Sequence, residues 1–572
     1  MSVKLLHYIF HFFFFLFFLS GLGTPVLSVA QTIEAEQLLR QQERERALRL
    51  QNETQKPAYL QTPVLPSPLL PADETPCQVI RSLTMQGDAS EHFQWAIAAA
   101  ERDDDPVLGR CLGASGIAIA AQRVQQAILK RGYVTTRVLI ETQELHNGIL
   151  TLTLLPGRIR HIRFAEGTAS RATLWNAMPA QPGDLLNVRE LEQGLDNLKR
   201  LPSAEANIRI VSAQGTDALP GQSDVIIEWT QALPFRLNLS LDDAGSKYTG
   251  KRQAAVTLAY DHWWTLNDLF YVSVHQAVGG GLSGERGAQS HTVHYSVPWQ
   301  NWLLSATASA FEYHQNVAGL NQDYTYRGNG NNRELAITRL LTRNSFSKTS
   351  ASLRWWSRSS RNFIDDAEVN PQRRDNGGWE LGLGQRMRLG DTSLDANVSV
   401  RRGTGAFGSR PAPEQAFGEG TSRMQILRAD AALSVPFRLA SQRLRYIAGW
   451  RAQWNGTPLI PQDRFAIGSR YTVRGFDGEL LLFGDRGWVL RQELGLSVPT
   501  LRSELYTGID TGKIGGRSAE DMIGTRLTGA VIGLRGNAAR VSWDLFLGRP
   551  LAKPEGFRSA STTAGFHLSL NF

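Results

Sequence analysis

The second half of the chain alternates between apolar and polar positions. From about residue 233 onward, apolar residues recur with a period of two: Val256, Leu258, Tyr260; Phe270, Val272, Val274; Val293, Tyr295, Val297. Leu490, Leu494, Leu496, Val498 and Val541, Trp543, Leu545, Leu547 continue the pattern toward the end. Side chains of a strand point alternately to opposite faces, so this period predicts strands with one apolar face and one small, polar or charged face. Residues 232–572 carry no amphipathic helix pattern. A soluble sandwich alternates too. Charges such as Arg491 and Glu493 on the inner face are costly in a dry core, however, and suit the watery lumen of a barrel.

Punctuation supports the barrel. Ser-Val-Pro closes an alternating segment at 296–298, 434–436 and 497–499, as expected of a residue that cannot donate to a ladder. Polar, Gly/Asn/Arg-rich stretches at 279–289, 315–333, 363–378 and 404–422 read as long loops on the opposite rim. At about 21 residues per strand and connection, residues 232–572 hold about 16 antiparallel strands. The last of them alternates Phe566, Leu568, Leu570 and Phe572 up to the C-terminus.

The first half reads differently. Residues 31–52 lack Gly and Pro and are rich in Glu, Gln, Arg and Leu, which predicts a helix. Its apolar stripe is too thin for a packed core, so it belongs either to a frayed tail or in a water-filled lumen. Residues 53–76 contain six prolines, the mark of an extended linker. Two α/β units follow, at 77–156 and 157–231. Each predicts a strand, a helix (about 115–131 in the first, starting at Asn187 with a capping-box Glu190 in the second) and two more strands.

Composition narrows the function. A formal charge of +8 among 572 residues is spread at strand-like intervals rather than clustered, which argues against a nucleic-acid partner. At the N-terminus Lys4 precedes an apolar run, Leu5 to Leu19, and Ser28-Val29-Ala30 offers a cleavage site. Residues 1–30 therefore read as a secretory signal, the run being short for a membrane anchor. With export, Cys77 and Cys111 are expected to form a structural disulfide. The chain lacks the signatures of a catalytic site, a metal site or a cofactor cradle. Gly279-Gly280-Gly281 and Gly328-Asn329-Gly330 sit in polar stretches rather than at a strand-to-helix turn, and Asp103-Asp104-Asp105 reads as a solvated turn. No enzyme is expected.

The most informative stretch is PQDRFAIGSRYTVRGFDG, 461–478. Val473-Arg474-Gly475-Phe476, followed by a strand carrying Gly508-Ile509-Asp510-Thr511-Gly512, resembles the VRG(F/Y) lumen-loop motif and the G-x-D-x-G inner-strand motif of two-partner secretion outer-membrane transporters (TpsB family). The likeness extends to residues 186–203 and 220–225 (second POTRA domain), residues 242–253 (first barrel strand), Cys77 and Cys111 (first POTRA domain), and the N-terminal helix with its Pro-rich linker. It implies a membrane β-barrel of about 16 strands preceded by two periplasmic POTRA domains and a plug helix. Arg474 would engage Asp510, a pairing that offsets the desolvation of a guanidinium buried in the lumen. Gly475 would let the loop tip turn, and Gly508 and Gly512 would leave room for it.

The function the resemblance implies is recognition and export of a large partner protein, an adhesin, haemolysin or contact-dependent toxin, captured through the POTRA domains. The alternative is a barrel insertase of the same superfamily. Outer-membrane lipid would be a further partner, as would the barrel-assembly machinery, which reads the closing strand ending at Phe572. The transporter would act as a monomer without nucleic acid, metal or cofactor.

Overall fold

In the computed structural model the described residues are 24–52, 58, 68–279, 285–319 and 322–572, with side chains from residue 36 onward. Most of the expected signal segment and of the 53–76 linker lies outside them.

Helix α1 runs Thr24–Asn52, about 44 Å at 1.5 Å per residue. The first α/β unit contains β1 (Ser82–Gln86), α2 (Ala114–Lys130), β2 (Arg137–Leu139) and β3 (Ile149–Leu155). β3 is the centre of its sheet, parallel to β1 and antiparallel to β2. The apolar face of α2 (Ala120, Val124, Ile128) covers the sheet beside Leu150 and Leu152. Cys77 and Cys111 are bonded, with Cα atoms 5.3 Å apart. The second unit repeats the plan with β4 (Arg158–Phe164), α3 (Val188–Lys199), β5 (Ala204–Ser212) and β6 (Gln222–Gln231). Its central strand is β6, and Leu191, Leu195 and Leu198 of α3 are buried on the sheet. Here Arg160 grips Asp224 through Nε and Nη2 (2.9 and 2.7 Å) and holds that carboxyl below the ordinary carboxylate range.

The barrel has 16 long strands. They are β7 (Phe235–Asp242), β8 (Gln253–Asp261), β9 (Leu269–Ala277), β10 (Arg286–Trp299), β11 (Trp302–Ala318), β12 (Asp323–Arg343), β13 (Ser347–Ile364) and β14 (Arg374–Leu389). The second half comprises β15 (Thr392–Thr404), β16 (Gln425–Leu439), β17 (Gln442–Asn455), β18 (Arg486–Val498), β19 (Ser503–Gly515), β20 (Arg526–Ala538), β21 (Val541–Ala552) and β22 (Thr563–Asn571). All neighbours are antiparallel, and β22 closes on β7 with His567 opposite Asp242 and Asn571 opposite Asn238. Phe572 exchanges backbone hydrogen bonds with Leu237 at this seam.

The period-2 pattern sorts as elementary transfer energetics demand. Val256, Leu258, Val274, Val293, Leu545 and Leu547 are exposed on the outer wall, where hydrocarbon is the solvent. Their neighbours line a polar lumen bridged by pairs such as Arg354–Glu380 (3.2 Å) and Arg535–Glu493 (2.8 Å). Trp263, Trp264, Trp299 and Trp302 are exposed beside the short turns, the level at which amphipathic rings sit in a bilayer.

Four expectations need correction. The 315–333 stretch is not a loop: β11 continues to Ala318 and β12 starts at Asp323, so Gly328-Asn329-Gly330 lies within a strand. The polar composition reflects water on both faces of strands that outrun the membrane, β12 spanning 21 residues where about 9–11 suffice. Asp105 is not solvated but buried, accepting from Arg110, Arg123 and the Leu70 N–H. Asn187 caps α3 alone, through the Arg189 N–H at 2.9 Å, rather than as half of a reciprocal box. The first unit also holds a helical segment over 90–100 that the sequence did not predict.

Candidate functional site

The site is the barrel interior, filled by two elements. The first is the connection between β17 and β18. It enters the lumen, pairs Phe465–Ile467 with Leu482–Gly484 and carries Val473-Arg474-Gly475-Phe476 at its tip. Arg474 is buried, and so is Asp510 on the inner face of β19. Their contact is bidentate, Nε to Oδ2 at 2.7 Å and Nη2 to Oδ1 at 2.8 Å. The Arg474 N–H adds a third bond to Oδ2 at 3.0 Å. Nη1 donates to Glu493 of β18, a second anchor that sequence reasoning had noted only as a lumen charge. Arg535 of β20 completes the group by holding Glu493 and Glu504.

Close backbone approach makes this geometry possible. Gly475 adopts φ +100°, and a Cβ there would stand 2.6 Å from the Arg549 carbonyl oxygen. A Cβ on Gly508 would press on the Gln492 carbonyl at 2.5 Å, and one on Gly512 would meet Ile467 at 2.9 Å and Val473 at 3.0 Å. Gly529 and Gly548, on β20 and β21, do the same for the backbone of Arg474 and Gly475. Nothing in the sequence marked those two, because strand pairing rather than motif spacing brings them to the loop. Val473 and Phe476 bury themselves with Ile467, Leu482, Ile514, Leu527 and Phe557, and Phe476 meets the Phe557 ring edge-on at 5.7 Å.

The second element is α1, which lies in the lumen beside the loop. Gln37 donates to Thr249 (2.8 Å), Gln41 to Thr292 (3.3 Å), Arg44 to Gln253 (3.2 Å) and Arg49 to Glu334 (2.8 Å). Ser309 of β11 donates to Glu45 at 2.5 Å. On the far side Arg451 of β17 holds Glu43, while Leu39 packs on Ala466, Leu481 and Phe483 of the loop. The helix thus reaches strands on both sides of the lumen, mostly through polar bonds, with Leu38 buried against Phe311, Tyr313 and Tyr326 and Leu48 buried in the cluster that holds Ala259, Leu269 and Tyr271.

The second α/β unit seals against the rim with the short turns. Arg343, at the end of β12, binds Glu192 (2.8 Å) and Asp196 (2.6 Å) of α3 and also the carbonyl of Ala58. Asn176 donates to the carbonyls of Leu266 (2.5 Å) and Pro298 (3.1 Å), and Arg200 to Ser296 Oγ (2.8 Å).

Residues 221–536 match the family described as haemolysin secretion/activation protein ShlB/FhaC/HecB. The outer membrane transporter CdiB-2 of Burkholderia pseudomallei is 36% identical over 468 residues, 81% of this chain and 79% of that protein. The chain belongs to this family. Residues 96–157 match a ShlB-type POTRA domain and 158–212 a POTRA domain. The haemolysin transporter HpmB of Proteus mirabilis is 24% identical over 439 residues, 75% of this chain and 74% of its own. Among solved structures, CdiB from Acinetobacter baumannii superposes with TM-score 0.83 at 29% identity, covering 95% of this chain and 99% of that one. This ShlB/FhaC/HecB-family protein is therefore an outer-membrane two-partner secretion pore with its POTRA domains in the periplasm.

Proposed function

We propose that the protein exports one large secreted passenger, an adhesin, haemolysin or contact-dependent toxin, captured in the periplasm by its POTRA domains and threaded outward past the Arg474–Asp510 anchor after α1 leaves the lumen. The observation that carries this reading is the polar seating of α1. Each neutral bond contributes only about 0.5–1.5 kcal/mol net and each bond to a charged group about 1.5–3 kcal/mol, because water replaces it on release. A pore filler with three leucine contacts and otherwise polar bonds is more readily removed than one with a continuous apolar face. The loop, by contrast, is held by a buried ion pair and an apolar cluster, so it stays or shifts while the helix departs. β1, β2, β4 and β5 are the edge strands of their three-stranded sheets, the position at which an extended segment is captured by strand addition. The pore acts as a monomer, without catalysis, after insertion by the barrel-assembly machinery, which reads the strand ending at Phe572.

The test is co-expression of the full chain with a passenger carrying its N-terminal secretion domain, scored by surface exposure. Passenger at the surface with the full chain, and in the periplasm when 77–231 are deleted from a barrel that still inserts, is the expected outcome. Equal export by the deletion variant would refute POTRA capture.

A further inference from the structure

Beside α1 the lumen holds a partly open cavity of about 420 Å³ between helix, loop and wall. Eight arginines, among them Arg354, Arg358, Arg401 and Arg428, line it against five carboxylates. By register Arg354, Glu380 and Arg401 face one another across β13, β14 and β15. Glu380 is taken by Arg354 at 3.2 Å, and Glu334 by Arg49 of the helix at 2.8 Å. Arg401 is left over. It is only 5% exposed, stacks 4.0 Å above the Trp356 ring, and its buried Nε has no hydrogen-bond partner among the described residues. Its neighbours are poorly compensated too. Arg428 gives Nε to the neutral Gln453 amide at 3.1 Å, and Arg358 reaches Asp463 only at 3.4 Å.

A partly buried excess of guanidinium over carboxylate groups is unfavourable unless a further counter-charge sits among them. Water solvates such a group but does not neutralise it. The planar donor fork matches tetrahedral and planar oxyanions. We propose that this cavity is an oxyanion site, taking a small inorganic anion of the phosphate or sulfate class while α1 is seated. Size excludes a polypeptide, since Leu39, Glu43 and Arg46 of α1 close one side. Because both the helix and the wall line the cavity, the anion stabilises the plugged state by mass action.

The test is equilibrium binding of inorganic phosphate to the full-length protein in nanodiscs, at constant ionic strength in chloride. The wild type binds saturably. Arg401→Gln lowers the affinity at least tenfold while the barrel stays folded by its heat-dependent gel mobility, and Arg428→Gln serves in the same way if the first variant fails to fold. Arg402→Gln, one residue on and facing outward, leaves binding unchanged. Absence of saturable binding in the wild type, or unchanged binding in Arg401→Gln and Arg428→Gln, would overturn the proposal.

Discussion

Replacing Arg474 with Ala strips Asp510, 0% exposed, of both side-chain bonds. What remains to it is the backbone N–H of residue 474 at 3.0 Å and the Arg491 Nε at 3.8 Å. Removing one partner of a buried pair costs about 3–5 kcal/mol. At about 1.4 kcal/mol per decade, that shifts the balance between seated and released loop by roughly two to four orders of magnitude. Glu493 suffers less, because Arg535 still holds it at 2.8 Å. Arg474→Lys keeps the charge but not the fork and falls between wild type and Ala. Arg474→Met with Asp510→Leu removes both charges and so disturbs the loop less than Arg474→Ala alone. The two native cysteines are bonded to each other, so a cysteine placed at buried Ala466 in the loop hairpin reports by itself. Its labelling by a membrane-impermeant maleimide tracks the released fraction. Labelling of the Arg474→Ala protein at the wild-type rate, or a double variant as perturbed as the single, would refute the anchoring argument.

Gly475→Ala places a Cβ 2.6 Å from a carbonyl oxygen at φ +100° and releases the loop in the same labelling assay. Gly478→Ala (φ +77°, nearest atom 3.9 Å away) has only the backbone strain of about 1–2 kcal/mol to bear and labels far less. Cys77→Ser with Cys111→Ser opens a bridge separated by 34 residues and destabilises the first POTRA domain by about 2–4 kcal/mol. Hydrogen exchange over 78–155 then accelerates by roughly 30- to 1000-fold, with the barrel unchanged. Arg343→Ala removes the ion pairs to Glu192 and Asp196 that tie α3 of the second POTRA domain to the barrel. Spin-label distances between the second POTRA domain and the barrel broaden; widths equal to wild type would count against the clamp.

The barrel was legible because hydrocarbon outside and water inside impose a period of two that no packing detail can disguise. The loop–strand pairing was legible because a buried Arg calls for a carboxylate, and the motifs put Arg474 and Asp510 in the two elements. Glu493, Gly529 and Gly548 were not, since their roles depend on which strands lie beside the loop tip, a property of register. Composition misread 315–333, where polar residues lie in strands wetted on both faces, and it misread Asp105, whose burial depends on Arg123 arriving from α2. The 90–100 segment, short and partly 3₁₀, is shaped by packing of Phe93 and Ala96 rather than by local periodicity.

The central claim is tested most directly by reconstituting the purified chain in liposomes and adding an unfolded passenger, bearing its N-terminal secretion domain, on the POTRA side. Protease protection of the passenger with the wild-type chain, reduced by Arg474→Ala, is the predicted result. No protection with any such passenger, together with accelerated folding of an added barrel protein, would contradict export and point to an insertase.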